Sequence, residues 1–347
     1  MGETVSVMGY WIPHLSGSLL QGYPPPKNFI QGLEAVGLDV DFVNLYDLKE
    51  KYGEGEIRLG LKMARSNKII LSYWDYIYHR DLESVFSDKS KKFIFCINWN
   101  EEPRTEEQKH TILKNSEFVT LSQDYYRNKW IDELGKGGRK YHDKMVVWRF
   151  PCTVGTELNK TECRKTIGQM LPNSIIAWGY YGKGKGHNDL LEWVSTMFGT
   201  EVLFCGTPYS VEAQRYLREI ALNFGMDTRV HFSKPLLSDE ETDIWFSAAD
   251  LGVVTYWNKI GESSLAYMLG HGKTVITSDL ECFPEYAEKF KAVVISNKAN
   301  FRDTIAKYLV DQQLRKEQEK RAREYAQKFN WVTSGLFFKE LIESIKG

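Results

Sequence analysis

Short apolar runs rich in Val and Ile alternate with stretches of helical periodicity along most of the chain. Apolar runs of about four to eight residues mark strands buried on both faces, and the helical stretches between them supply crossovers. The pattern therefore predicts parallel sheets covered by helices. In the first half, strands are expected at Val5–Tyr10, Val40–Asn44, Lys68–Ser72, Lys92–Ile97, Phe118–Ser122 and Met145–Phe150. A loop rich in Gly, Pro and Ser follows the first strand, and helices are expected at Lys27–Val36 and Asp124–Leu134. The basic Gly135–Lys140 segment reads as a turn, and Pro151–Lys160 as a linker with a Pro, a Gly and polar residues.

A second alternating series begins at Ser174–Gly179, with the helix Asp189–Met197 after it. Later strands are expected at Glu201–Cys205, Arg229–Phe232, Leu251–Thr255, Lys273–Thr277 and Ala292–Ile295, with a helix at Leu265–Leu269 before Lys273. Asp303–Lys328 reads as one long charged helix, broken at Phe329-Asn330-Trp331, and Val332–Ile345 as a last amphipathic one. The expected organisation is an N-terminal domain over 1–155, joined by the C-terminal helix 332–347, and a second domain over 156–331. No apolar heptad persists in the charged helix, so a solvated surface is preferred over a coiled coil.

Composition narrows the class of function. The 347 residues fit two α/β domains, and 45 Lys+Arg against 46 Asp+Glu leave a net charge of −1. That balance gives no global field for nucleic acid or an anionic membrane. No basic stretch followed by an apolar run opens the chain, which makes a cytoplasmic location the expectation. The five cysteines are widely spaced without a C-x-x-C pair, as core thiols would be. Aromatic residues reach 14%, and many stand where strands are expected to end: Tyr10-Trp11, Tyr73-Trp74 with Tyr76 and Tyr78, Trp99, Tyr180-Tyr181, Tyr209 and Tyr256-Trp257. Rings there are expected to line a cleft and stack on sugars or bases.

Two segments carry candidate chemistry. Trp178–His187 is a glycine- and lysine-rich turn between an apolar strand and a helix, where backbone N–H groups and a helix N-terminus meet an anion and Lys185 adds charge. The order is neither a P-loop nor G-x-G-x-x-G, and a solvated turn is the plain alternative. About 70 residues on, Gly261-Glu262-Ser263-Ser264 repeats a helix start after a buried strand, with hydroxyls as donors or simply as a cap. Asp39-Val40-Asp41 opens a strand instead of ending one, so metal binding there is not favoured and no metal site is assigned.

Together these segments resemble the donor half of a GT-B-fold glycosyltransferase of the retaining family 4 (glycosyl transferases group 1). Gly179-Tyr180 followed by Lys185-Gly186-His187 is similar to the family's Gly-Arg and Lys-Gly-His steps. Ala248-Ala249-Asp250 to Tyr256 and Gly270–Ile276 resemble its "aaD" strand and its "A-x-G-K-P-V-I" step. Val230–Phe232 with Leu237–Glu241, and Phe329-Asn330-Trp331, match two further patterns. The likeness covers about residues 172–345. It departs from the family at the usual glutamate pair, whose positions fall on Lys259 and Tyr267, and at the usual Arg, replaced by Tyr180. Asn98 stands where many members have His.

What the resemblance implies is an α/β chain of two doubly wound Rossmann-like domains facing each other across a cleft, the first binding acceptor and the second donor. The implied activity moves a sugar from a nucleoside diphosphate sugar, with UDP or GDP as its carrier, to a glycan or lipid-linked glycan hydroxyl, with retention and without metal. No separate cofactor is expected, and peripheral contact at the inner membrane face is left open. Lys185, Asn98 and His14 are the expected catalytic residues. Gly17, Gly179, Tyr180, Lys185, Gly206, Pro235, Leu236, Gly261, Glu262, Ser263 and Ser264 are the expected donor contacts. The competing readings are a non-catalytic glycan- or nucleotide-binding relative and a nucleotide-sugar epimerase.

Overall fold

A computed structural model describes residues 4–9, 26–53, 56–64, 69–73, 82, 86, 88–97, 105–235, 237–257 and 261–345. The chain forms two compact units, one holding the N-terminal strand, Pro25–Phe150 and Trp331–Gly347, the other Pro151–Asn330.

The strands of the first unit are β1 (Thr4–Gly9), β2 (Asp39–Asn44), β3 (Ile69–Tyr73), β4 (Lys92–Ile97), β5 (Phe118–Leu121) and β6 (Met145–Val147). They lie in the order β2-β1-β3-β4-β5-β6, all parallel. Val5, Val7, Ile69, Leu71, Ile94 and Cys96 supply one buried layer, as a sheet covered on both faces requires. Against it lie the helix Pro26–Glu34 and the C-terminal helix Trp331–Ser344, joined by Phe29, Trp148 and Phe338 with ring centroids 5.0–5.5 Å apart. Trp148 Nε1 also donates to Ser334 Oγ at 2.9 Å. Asp39 and Asp41 accept from the Thr4 and Ser6 hydroxyls beside them at 2.8 and 2.9 Å, so the D-x-D segment fastens β2 to β1.

The second unit contains β7 (Asn173–Tyr181), β8 (Thr200–Pro208), β9 (Val230–Phe232), β10 (Leu251–Val254), β11 (Thr274–Thr277) and β12 (Val294–Ile295), again all parallel, in the order β12-β11-β10-β7-β8-β9. Ile175, Ala177, Val202, Phe204, Leu251 and Val253 pack under Leu190, Leu191, Val194 and Phe301 of the covering helices. No helix of the described residues is long and apolar enough to cross a membrane. All five cysteine side chains are buried.

Several elements differ from the sequence reading. Gly135–Arg139 is a helical turn, not an open one. The expected linker ends in the first residue of a helix, Lys160–Ile167, whose N-cap Asn159 accepts from Glu162 N at 3.1 Å. The charged tail is two helices, Phe301–Val310 and Gln312–Lys328, because Asp311 leaves helical geometry and caps the second through Leu314 N at 2.9 Å. The helix expected at Leu265–Leu269 starts earlier, at Glu262.

Candidate functional site

In the second sheet the chain passes from β7 to β8 and β9 on one side, and from β10 to β11 and β12 on the other. The order reverses between β7 and β10, and ligands of open α/β sheets bind beyond the strand ends at such a point. The two segments singled out in the sequence, 182–187 after β7 and 255–264 after β10, begin there.

The first segment is held in one conformation by its glycines and by His187. Gly186 has φ +68 and caps the helix His187–Ser195, and a Cβ there would fall 2.0 Å from Thr255 O. Only glycine permits this approach, which also lets Thr255 Oγ1 donate to Lys185 O at 2.8 Å. Gly182 N donates to His187 Nδ1 at 3.2 Å. Burial, and next the Lys185 charge, push the buried imidazole down to about 3. His187 is therefore neutral with its proton on Nε2, and it works as the fastener of the loop.

Lys185 is 7% exposed, and its Nζ donates to Tyr256 Oη at 3.1 Å. The ammonium lies 4.3 Å from the Tyr256 ring centroid and 5.3 Å from that of Tyr209. Burial alone would lower its pKa, but the phenols of Tyr256 and Tyr209 more than offset that, and the group stays a cation. Among the described residues no carboxylate pairs with it. An ammonium has three donors to satisfy, and a buried charge without a counter-ion is costly, so the arrangement can take an incoming anion.

The second segment meets the first through Tyr256. Its ring lies against Gly261, where a Cβ would fall 2.3 Å from the ring, and its Oη is 3.3 Å from Ser264 Oγ. The carbonyl of Tyr256 accepts from the Ser278 hydroxyl, which fixes the residue from behind. The helices starting at His187 and Glu262 have no side-chain cap, as is also true of Pro284–Glu288 and Phe301–Val310, whereas Asn159, Ser210, Ser238 and Asp311 cap other helices of this unit. Uncapped N–H groups and the positive end of the helix dipole add to the pull on an anion.

The other expected donor contacts are dispersed. Gly179 and Gly206 face each other across β7 and β8. Tyr180, half-buried, stacks flat on Tyr209 with centroids 5.3 Å apart and planes 7° apart, and Tyr209 is 47% exposed. Ser263 is half-buried, and Pro235 is exposed beyond β9. Glu262 is buried and accepts from Tyr286 Oη at 3.0 Å, and Ser264 is buried with its hydroxyl at Tyr256. His14, Gly17, Asn98 and Leu236 lie outside the described residues, as does Lys259.

The aromatic map also needs correction. Tyr181 is a core side chain packed on Phe204 and Phe232, because the last residue of β7 alternates inward. Trp257 is half-buried among Trp193 and Phe301 and donates to Asp189 Oδ2 at 2.8 Å. Tyr256 is buried too. Among the described residues of that map whose side chains are placed, Tyr180 and Tyr209 are the pair left to offer an accessible ring. Sequence reasoning missed Tyr256 as the partner of Lys185; its place two residues beyond a strand at the switch point is the signal that could have found it.

Protein-family models and curated proteins yield no match to the chain. Solved structures do. A sucrose-phosphate synthase from Thermosynechococcus elongatus is similar over 99% of both chains, with TM-score 0.70 and 14% identity. Anabaena HepE, in complex with UDP and glucose, is similar over 98% of this chain and 99% of its own, with TM-score 0.72 and 13% identity. A glycosyltransferase from Rickettsia africae matches over the same shares, with TM-score 0.70 and 13% identity. The fold is GT-B. At these identities the likeness is one of fold, and the two parallel six-stranded sheets are those expected from the sequence.

Proposed function

We propose that the protein is a glycosyltransferase that uses a nucleoside diphosphate sugar and delivers the sugar to a hydroxyl of a glycan or lipid-linked glycan. The observation that carries this reading is Lys185, a buried cation without a carboxylate partner among the described residues, beside two uncapped helix starts at the switch point. When the bond between the anomeric carbon and the phosphate oxygen breaks, the diphosphate leaves with the bonding pair. The acceptor oxygen bonds to the carbon, and its proton passes to the leaving diphosphate oxygen. Charge grows on the leaving diphosphate, where Lys185 and the helix N–H groups stabilise it without a metal ion. Retention of configuration, and uracil or guanine as the base, follow from the resemblance to family 4. The neighbours fit this reading, since HepE was solved with UDP and glucose.

The test is a panel of UDP, GDP and ADP sugars incubated with the protein, with release of the nucleoside diphosphate measured. Release from one of them, abolished in Lys185→Ala with the fold intact, is expected; undiminished release from the variant contradicts the assignment. A second reading, a binding protein without turnover, draws support from Tyr267. It stands at one of the family's glutamate positions and packs its ring on Trp178 at 5.1 Å. It predicts nucleotide binding with no release from any sugar.

A further inference from the structure

The Tyr256 hydroxyl touches both halves of the anion site, and its protons can be placed from chemistry alone. Lys185 Nζ is donor-only, so in the 3.1 Å contact Tyr256 Oη is the acceptor. The phenol proton then needs its own acceptor, because the side chain is 2% exposed and buried donors are paired. Ser264 Oγ, 3.3 Å away, is the acceptor within reach among the described residues. That leaves the Ser264 proton to be donated onward, and no described residue accepts it. Ser264 is itself buried, at the first turn of the uncapped helix.

From this geometry we propose that Tyr256 is a positioning residue of the diphosphate site, passing the polarisation of the Lys185 ammonium through its hydroxyl to Ser264. The inference rests on the function proposed above and deepens it. Lys185 N–H, Tyr256 O–H and Ser264 O–H all point the same way along the chain of donors. Each bond in such a chain strengthens the next, so Ser264 becomes a better donor to a phosphate oxygen than an isolated serine. The same phenol holds the flexible lysine at one place, so that its remaining N–H groups are already aimed when the diphosphate arrives.

The test uses calorimetric titration of the full chain with UDP, GDP and ADP, and with the nucleoside of whichever binds as the control. In Tyr256→Phe the ring that fits against Gly261 is kept and the hydroxyl alone is lost. Affinity for the diphosphate is expected to fall about tenfold, the scale of one hydrogen bond to a charged group, while affinity for the nucleoside stays as in the wild type. Ser264→Ala, which leaves the Lys185–Tyr256 contact untouched, is expected to give a smaller loss of the same selectivity, and the double variant less than the product of the two. Ser264→Ala also serves if Tyr256→Phe fails to fold. Equal affinity of the folded variants and the wild type for the diphosphate overturns the positioning role and leaves the proposed function standing. A parallel loss for nucleoside and diphosphate shows a merely structural role and also overturns it. A wild type that binds no nucleoside diphosphate overturns both.

Discussion

At the start of β7 the amide of Ser174 donates to Asp250 at 2.8 Å, and that carboxylate also meets Lys160 at 2.5 Å, Arg164 at 2.6 Å and Arg315 at 3.8 Å. Beyond the other end of the same strand, Lys185 is buried to a similar degree and meets two phenols and no carboxylate among the described residues. The first charge is saturated from the helices Lys160–Ile167 and Gln312–Lys328 and from β7, so it ties three elements together. The second is left with donor capacity that no described group uses. Buried charge at the N-terminal end of this sheet is thus spent on the fold, and buried charge at the C-terminal end is, on the function proposed, held for a ligand.

Breaking the first end should have the largest effect on stability. Asp250→Asn removes a buried charge that forms two short ion pairs with solvent-accessible cations, and it is expected to cost about 2–3 kcal/mol in chemical unfolding, the scale of hydrogen bonds to a charged group. The contact lies at the far end of the strand from Lys185, so nucleotide affinity of the folded variant should not change. If the loss is under about 1 kcal/mol, the cluster is surface decoration and the contrast fails.

At the other end, Lys185→Met should do the reverse. It replaces an unpaired buried cation by an apolar chain of similar length, so the melting temperature should hold or rise. Nucleoside diphosphate affinity should drop by roughly a hundredfold, which is the loss of a buried charge pair with the ligand. Marked destabilisation would show that Lys185 is part of the scaffold.

A subtler probe is the backbone that brings the two loops together. Gly186→Ala places a Cβ 2.0 Å from Thr255 O at φ +68, and the expected cost is about 2 kcal/mol or more in stability with nucleotide binding weakened in parallel. A further effect appears only in acid. His187 is held down to about 3 in the fold against about 6.5 when unfolded, so between those values the unfolded chain binds a proton that the folded chain does not. Stability falls as pH drops from 6.5 towards 3, and below 3 this contribution no longer changes. In His187→Asn, whose amide oxygen can still accept from Gly182 N, melting curves between pH 7 and 5 should fall less steeply than in the wild type.

Much of this layout was legible in the residues. Runs such as Ile175-Ile176-Ala177 and Val253-Val254 are apolar on both faces, and a covered parallel strand tolerates little else. Lys185 stood out because three glycines surround it between a strand and a helix. The contacts that give the lysine its meaning were not legible. Tyr256 is 71 positions away, and nothing in its neighbourhood says that its ring turns inward onto Gly261. Glu262 and Ser264 were legible as part of a helix start, but the partners of their buried side chains, Tyr286 and Tyr256, come from tertiary packing that the local sequence does not show. The Asp250 cluster joins residues 65 to 90 positions from Asp250 and depends on the strand order, which local pattern does not encode. The break at Asp311 did carry a local signal, an Asp ahead of a new helical run, hidden by the charge on both sides.

The central claim is that the buried cation at the switch point awaits a diphosphate. Calorimetric titration of UDP, GDP and ADP into the wild type and Lys185→Met, with both proteins shown folded by thermal melting, tests it most directly. The account predicts that at least one nucleoside diphosphate binds the wild type and that the variant loses that binding while melting no lower. Binding that survives in Lys185→Met, or no binding to the wild type at all, would contradict it.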